Sequence, residues 1–180
     1  ATGTQGTDSS PEPVVGRLST SDPAQSSPGW VVMLANGQGL QVLDAENGRV
    51  LWSASADDGV TLPLRELSGA VESPPRALDL DGDGHIDRAY LVDSKGGLWR
   101  FDFVRAESPA ELASARRIAR LGDGSQQFQA SPDVSIARLE GRNHIAIAVG
   151  SGRLDRPHDA ATVDRAYVIF DRGRAEELLV

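Results

Sequence analysis

Apolar residues come in short runs along this chain, and glycine- or asparagine-bearing turns separate the runs. In "WVVMLANGQGLQVLDAENGRVLW" an apolar run covers residues 30–34 and a turn follows at 36–39. A second, alternating run covers 40–43, a turn falls at 46–48, and a third run covers 50–52. Runs of this length broken by Asn-Gly predict antiparallel strands joined by tight hairpins, because Asn and Gly reach positive φ at little cost. The same texture returns in "RAYLVDSKGGLWRFDF", with a run at 89–92, a turn at Gly96 and Gly97, and a run at 98–102.

The second unit superposes on the first at a fixed offset. Gly39 falls on Gly97, Leu40 on Leu98, Leu43 on Phe101 and Asp44 on Asp102, each 58 residues apart. "SPPRALDL" from Ser73 and "SPDVSIARL" from Ser131 repeat that offset of 58 independently. A third unit follows in "HIAIAVGSGRLD" and, after a longer insertion, "RAYVIFD". Fixed periods of this size, each holding several short strands, mark β-propellers and related arrays. The predicted fold is therefore all-β: a partial β-propeller of about three blades over 30–180, with repeat units near 30–72, 73–130 and 131–180. Residues 1–29, rich in Ser, Thr, Pro and Gly, read as a linker or long irregular segment. Within "ESPAELASARRIARL", Ser108, Pro109 and Glu111 have the order of a capped helix start, so one short helix between blades is expected. Three blades do not close a ring that typically needs 4 to 8. The chain is expected either to pack against remaining segments of a larger propeller or to receive strands from another segment.

One stretch departs from the repeat. "DLDGDGHID", from Asp79 to Asp87, places four aspartates around two glycines, where the aligned part of the third unit, "ARLEGRNHI", has one acid. Close carboxylates repel, and a divalent cation among them removes the repulsion. Calcium takes 6 to 8 oxygen ligands, and loops that bind it supply side chains at positions 1, 3 and 5, a backbone carbonyl at 7 and a later acid. Those positions are Asp79, Asp81, Asp83, the carbonyl of His85, and Asp87 at position 9, with Gly84 at the sharp turn. Position 12 falls on Tyr90, and the loop runs straight into an apolar strand. The expected site is thus a Ca²⁺ loop between strands rather than an EF-hand.

Composition narrows the function classes. The chain has 180 residues, 39% hydrophobic and 24% charged, as an ordinary globular protein does. Its 26 acids against 18 bases, a net charge of -8, argue against a phosphate-binding surface, so no nucleic-acid partner is expected. No apolar run approaches the ~20 residues of a membrane span. The start at Ala1 suggests a processed chain or a piece of a longer one. Without cysteine, disulfides and thiolate sites are excluded, and three scattered histidines suggest no catalytic centre. "GSGR" at 150–153 lacks the Lys and helix of a phosphate loop, and no Gly-x-Ser-x-Gly elbow occurs. Trp52 and Trp99 are expected to pack between blades.

The string "SPPRALDLDGDGHIDRAYLVDSKGGLWRFDF", followed by "QASPDV", "AIAVGSGRL" and "DRAYVIFD", resembles the C-terminal propeller of the PilY-type adhesins at the tip of bacterial type IV pili. "GLQVLDAENGRVLW" is similar to the broader quinoprotein-like propeller repeat. The resemblance implies a non-enzymatic, calcium-binding module of a cell-surface protein, exported through the periplasm of a Gram-negative bacterium. Its implied roles are pilus assembly and retraction, twitching motility and attachment. Its implied partners are minor pilins at the pilus tip and a host-surface protein or glycan. The implied calcium ligands are Asp79, Asp81, Asp83 and Asp87 with the His85 carbonyl. The alternatives are a quinoprotein-like dehydrogenase propeller and an unrelated extracellular propeller that binds protein or glycan through a calcium-stiffened loop.

Overall fold

The computed structural model describes residues 11–19, 29–156, 158 and 162–171. The outer parts of the segment read as a linker, 1–10 and 20–28, and the end of the third unit, 172–180, lie outside the described residues. Each repeat unit forms one sheet whose strands are neighbours in chain order. The first holds β1 (Val14–Arg17), β2 (Trp30–Ala35), β3 (Gly39–Asp44), β4 (Val50–Ser55) and β5 (Leu62–Pro63). The second holds β6 (Arg76–Leu78), β7 (Arg88–Val92), β8 (Gly97–Phe103) and β9 (Ala113–Arg120). The third holds β10 (Asp133–Leu139), β11 (Arg142–Gly150) and β12 (Ala166–Asp171). All neighbours pair antiparallel except the short β4–β5 contact. The protein is all-β, with three successive sheets of a partial, propeller-like array.

The expected hairpins are present, and side chains hold them. Asn36 Oδ1 accepts the amides of Gln38 and Gly39 between β2 and β3. At the equivalent turn between β7 and β8, Asp93 Oδ1 accepts the amides of Lys95 and Gly97, and its Oδ2 accepts Trp99 Nε1 at 2.9 Å. Gly96 sits there at φ 81°, a conformation that an L side chain adopts with strain.

Successive sheets share their cores. Leu40, Val42 and Trp52 of the first sheet pack with Ala89, Leu91, Phe101 and Phe103 of the second. Trp52 meets the edge of Phe101 at 6.0 Å between centroids and 89° between planes, a geometry that contributes about 0.5–1.5 kcal/mol beyond burial. On the other face of the second sheet, Tyr90, Val92 and Leu98 pack with Ile145, Ile147 and Val149 of the third. Alternate residues of β7 therefore enter opposite cores, which is why the strand after Arg88, Ala89 to Val92, carries no charged residue.

A chain of buried charges crosses the second interface. Arg88 Nε and Arg100 Nε both donate to Asp102, at 2.7 and 2.8 Å, and Arg100 also reaches Asp171 of β12 at 3.1 Å. The Tyr90 hydroxyl donates to Asp171 Oδ2 at 2.7 Å. Burial, and then the Asp171 carboxylate, push the Tyr90 hydroxyl well above its ordinary pKa, so it stays a donor at all ordinary pH.

Two expectations are corrected. Residues 14–17, inside the segment read as a linker, form β1, and Leu18 beside them is buried. Few apolar residues mark this strand, because its stability comes from pairing with β2. The expected helix reduces to a single 3-10 turn, Pro109–Glu111, whose cap residue Ser108 makes no side-chain bond. The following "ASARRIAR" becomes strand β9 because its ladder to β8 outweighs the helical preference of Ala and Arg. Arg116 and Arg120 are exposed on this sheet edge, where charge discourages pairing with another chain, while Arg117 lies over the Trp99 ring and pairs with Glu66 at 2.9 Å.

Removing the Tyr90 hydroxyl tests the second interface. Tyr90→Phe should lower unfolding stability by about 1.5–3 kcal/mol, the usual contribution of a hydrogen bond to a charged group. Urea denaturation with an unchanged m-value would check it.

Candidate metal centre

Residues 79–87 join β6 to β7 in the second sheet. In the third sheet the corresponding β10–β11 connection is a tight turn through Glu140 and Gly141, at φ 51° and 78°. The longer loop is anchored on both sides. Leu80 packs against the core shared with the third sheet, and Ile86 against the core shared with the first. Asp87 closes the neck: its amide donates to the Leu78 carbonyl, its carbonyl accepts the Phe103 amide, and its Oδ2 accepts the Leu80 amide at 2.6 Å.

Inside the loop the carboxylates fold the backbone around themselves. Asp79 accepts the amides of Gly82 at 2.7 Å and Gly84 at 2.8 Å, one on each oxygen. Asp81 Oδ1 accepts the amide of Asp83 at 3.1 Å. Gly82 and Gly84 sit at φ 80° and 87°, the left-handed region that lets the chain curl inward. A Cβ would meet nothing within 4 Å at either position, so the need for glycine there is conformational rather than steric.

Of the residues expected as ligands, Asp79, Asp81 and Asp87 converge: each offers a carboxylate oxygen, and all lie within 4.8 Å of one another. Asp83 is turned toward His85, its Oδ1 accepting the His85 amide at 2.8 Å with the imidazole Nδ1 at 3.1 Å. That amide bond holds the Asp83 carboxyl below the usual carboxylate range. Asp87 moves the other way. Burial raises its pKa, and the charges of Asp81, Asp79 and Asp83 raise it further. Like charges about 5 Å apart near a protein surface repel by roughly 1–3 kcal/mol per pair. An all-oxygen donor set on a loop already curled by its own amides fits a hard divalent cation, with Asp79, Asp81 and Asp87 as the residues that would hold it.

The remaining residues singled out in the sequence lie elsewhere. Trp52 and Trp99 are buried between the first and second sheets as expected. "GSGR" leads out of β11, where Gly152 bridges to Phe128. Sequence reasoning missed the Arg88–Asp102–Arg100–Asp171 chain. Its visible signal was Asp102, next to last in β8, and Asp171, last in β12; the arginine partners were not visible.

No family model matches the chain. It is 27% identical, over 89% of its length, to the type IV pilus biogenesis factor PilY1 of Pseudomonas aeruginosa strain PAO1. It is 28% identical, over 83% of its length, to a PilY1 homolog of Xylella fastidiosa strain Temecula1. The chain spans only 15% and 12% of those relatives. The crystal structure of the P. aeruginosa PilY1 C-terminal domain superposes with a TM-score of 0.66 at 25% identity, covering 93% of this chain and 38% of that one. The chain is thus related to the C-terminal domain of PilY1 in both sequence and fold, as the resemblance of its motifs implied.

The loop's glycine requirement can be measured. Gly84→Ala should destabilise the protein by about 1–2 kcal/mol, the cost of a left-handed L residue. Gly59→Ala, an open position without positive φ, should stay within about 0.5 kcal/mol in the same denaturation series.

Proposed function

We propose that the chain is a calcium-binding, non-enzymatic propeller module of a type IV pilus-associated surface protein. The observation that carries this reading is the convergence of Asp79, Asp81 and Asp87 in an inter-strand loop, in a chain related to the C-terminal domain of a pilus biogenesis factor. The ion would supply positive charge to a crowded set of carboxylates and stiffen one strand junction. Asp83 and the His85 carbonyl would complete its oxygen shell. As part of a longer protein, the module would act outside the cell at the pilus tip, with minor pilins as neighbours. There it would support pilus assembly and retraction, twitching motility and attachment to a host-surface protein or glycan. Among the described residues no helix is long and apolar enough to cross a membrane, which is compatible with this placement.

Calcium titration tests the ion. Millimolar calcium should raise the melting temperature and chelator should lower it, since a ligand that binds only the folded state stabilises it by mass action. Asp81→Ala and Asp87→Ala should each lose most of the calorimetric binding signal while far-ultraviolet circular dichroism stays unchanged. Wild-type affinity in either variant would remove that residue from the ligand set. Introduced into a piliated relative at the matching position, the Asp81 variant should shrink twitching zones, and unchanged zones would separate calcium binding from motility.

A further inference from the structure

Ile86 lies between two positions of the proposed ligand set, the His85 carbonyl and the Asp87 carboxylate, yet its own contacts reach the first sheet. Its backbone N–H donates to the carbonyl of Arg17, in β1, at 2.7 Å. Its side chain packs against the core shared by the first two sheets and lies so close over Gly16 that a Cβ there would collide with Ile86 Cδ1. A side chain at position 16 would therefore have to displace Ile86, and it is this close approach rather than its backbone angle that sets Gly16 apart.

β1 is suited to being controlled by this contact. It is 4 residues long, sits at the edge of its sheet with its ladder to β2, and leaves Val15 62% exposed. A short edge strand gains little from its own burial, so one further hydrogen bond and one packed side chain weigh heavily in its opening equilibrium.

We propose that calcium in the loop works as a clasp on β1. This rests on the calcium reading of the same loop. By fixing residues 85 and 87, the ion fixes the Ile86 amide and side chain on either side of the Arg17 carbonyl and Gly16, and so holds β1 to the second sheet. Without the ion, repulsion among Asp79, Asp81 and Asp87 loosens the loop, Ile86 withdraws, and β1 opens from β2 more often. The coupling is reciprocal: a seated β1 strengthens calcium binding by the same factor that calcium strengthens the seating of β1.

Hydrogen exchange on the full 180-residue chain, with excess calcium or with chelator, reads the clasp, and calorimetry on the same samples reads binding. Calcium should slow exchange of the amides at 14–18 by about 5- to 150-fold, the usual range of a coupling between two sites. Gly16→Val removes the seat without touching a ligand. It should still bind calcium, more weakly by that same factor, while exchange at 14–18 becomes fast and insensitive to calcium. If Gly16→Val fails to fold, Ile86→Gly serves instead, with the same expected loss of calcium sensitivity at 14–18. If the wild-type chain binds calcium while exchange at 14–18 is the same with calcium and with chelator, the clasp is overturned and the ion site stands. If calorimetry shows no calcium binding, the site reading fails and the clasp fails with it.

Discussion

Three carboxylates with oxygens within 4.8 Å of one another sit on a loop whose two ends are packed in different cores, so they can relieve their repulsion only by loosening one of those anchors. Leu80 and Ile86 hold the loop's shoulders, and Asp87 bonds its neck to Leu78 and Phe103. Burial first, and then the neighbouring charges, raise the pKa of Asp87, and both follow from the packing of the loop. The same junction touches all three sheets. Ile86 reaches β1 in the first, and Arg88, the residue after Asp87, begins the ionic chain that runs through Asp102 and Arg100 to Asp171 in the third. Charge placed at this point acts on the relation between sheets rather than on one turn alone.

The sheets themselves need one another. β7 and β8 alternate their side chains between two cores, so these two central strands of the second sheet have no solvent-facing side over most of their length. The third sheet buries Ile145, Ile147 and Val149 against the second, while Val168 and Phe170 on its opposite face are 61% and 42% exposed. Its apolar contact is thus one-sided, as in arrays where stacking neighbours bury each unit. The PilY1 C-terminal domain, of which this chain covers 38%, is an instance of a larger body containing such sheets.

What the sequence made legible was local. Gly37, Gly48 and Gly96 punctuate hairpins because the turn residues determine them within a few positions, and all three adopt positive φ. The offset of 58 from Gly39 to Gly97 was readable because the sheets repeat. Convergence of Asp79, Asp81 and Asp87 was readable because Gly82 and Gly84, at positive φ, curl this short spacing back on itself. What stayed hidden was non-local. β1 carries few apolar residues and draws its place from β2 and Ile86, and β9 is a strand only because β8 pairs with it. The partnership of Arg100 with Asp171 spans 71 residues, and nothing in either one's immediate sequence marks it. Asp83 fits the ligand spacing, yet its bond to the His85 amide shows that spacing alone does not aim a carboxylate.

The central claim is that these carboxylates share one hard cation. The most direct measurement is a crystal structure of the chain grown in millimolar calcium, with anomalous data collected to identify the ion. The account predicts a single calcium peak about 2.3–2.6 Å from oxygens of Asp79, Asp81 and Asp87. A well-ordered loop at full calcium concentration, with water or no anomalous peak among those oxygens, would contradict it.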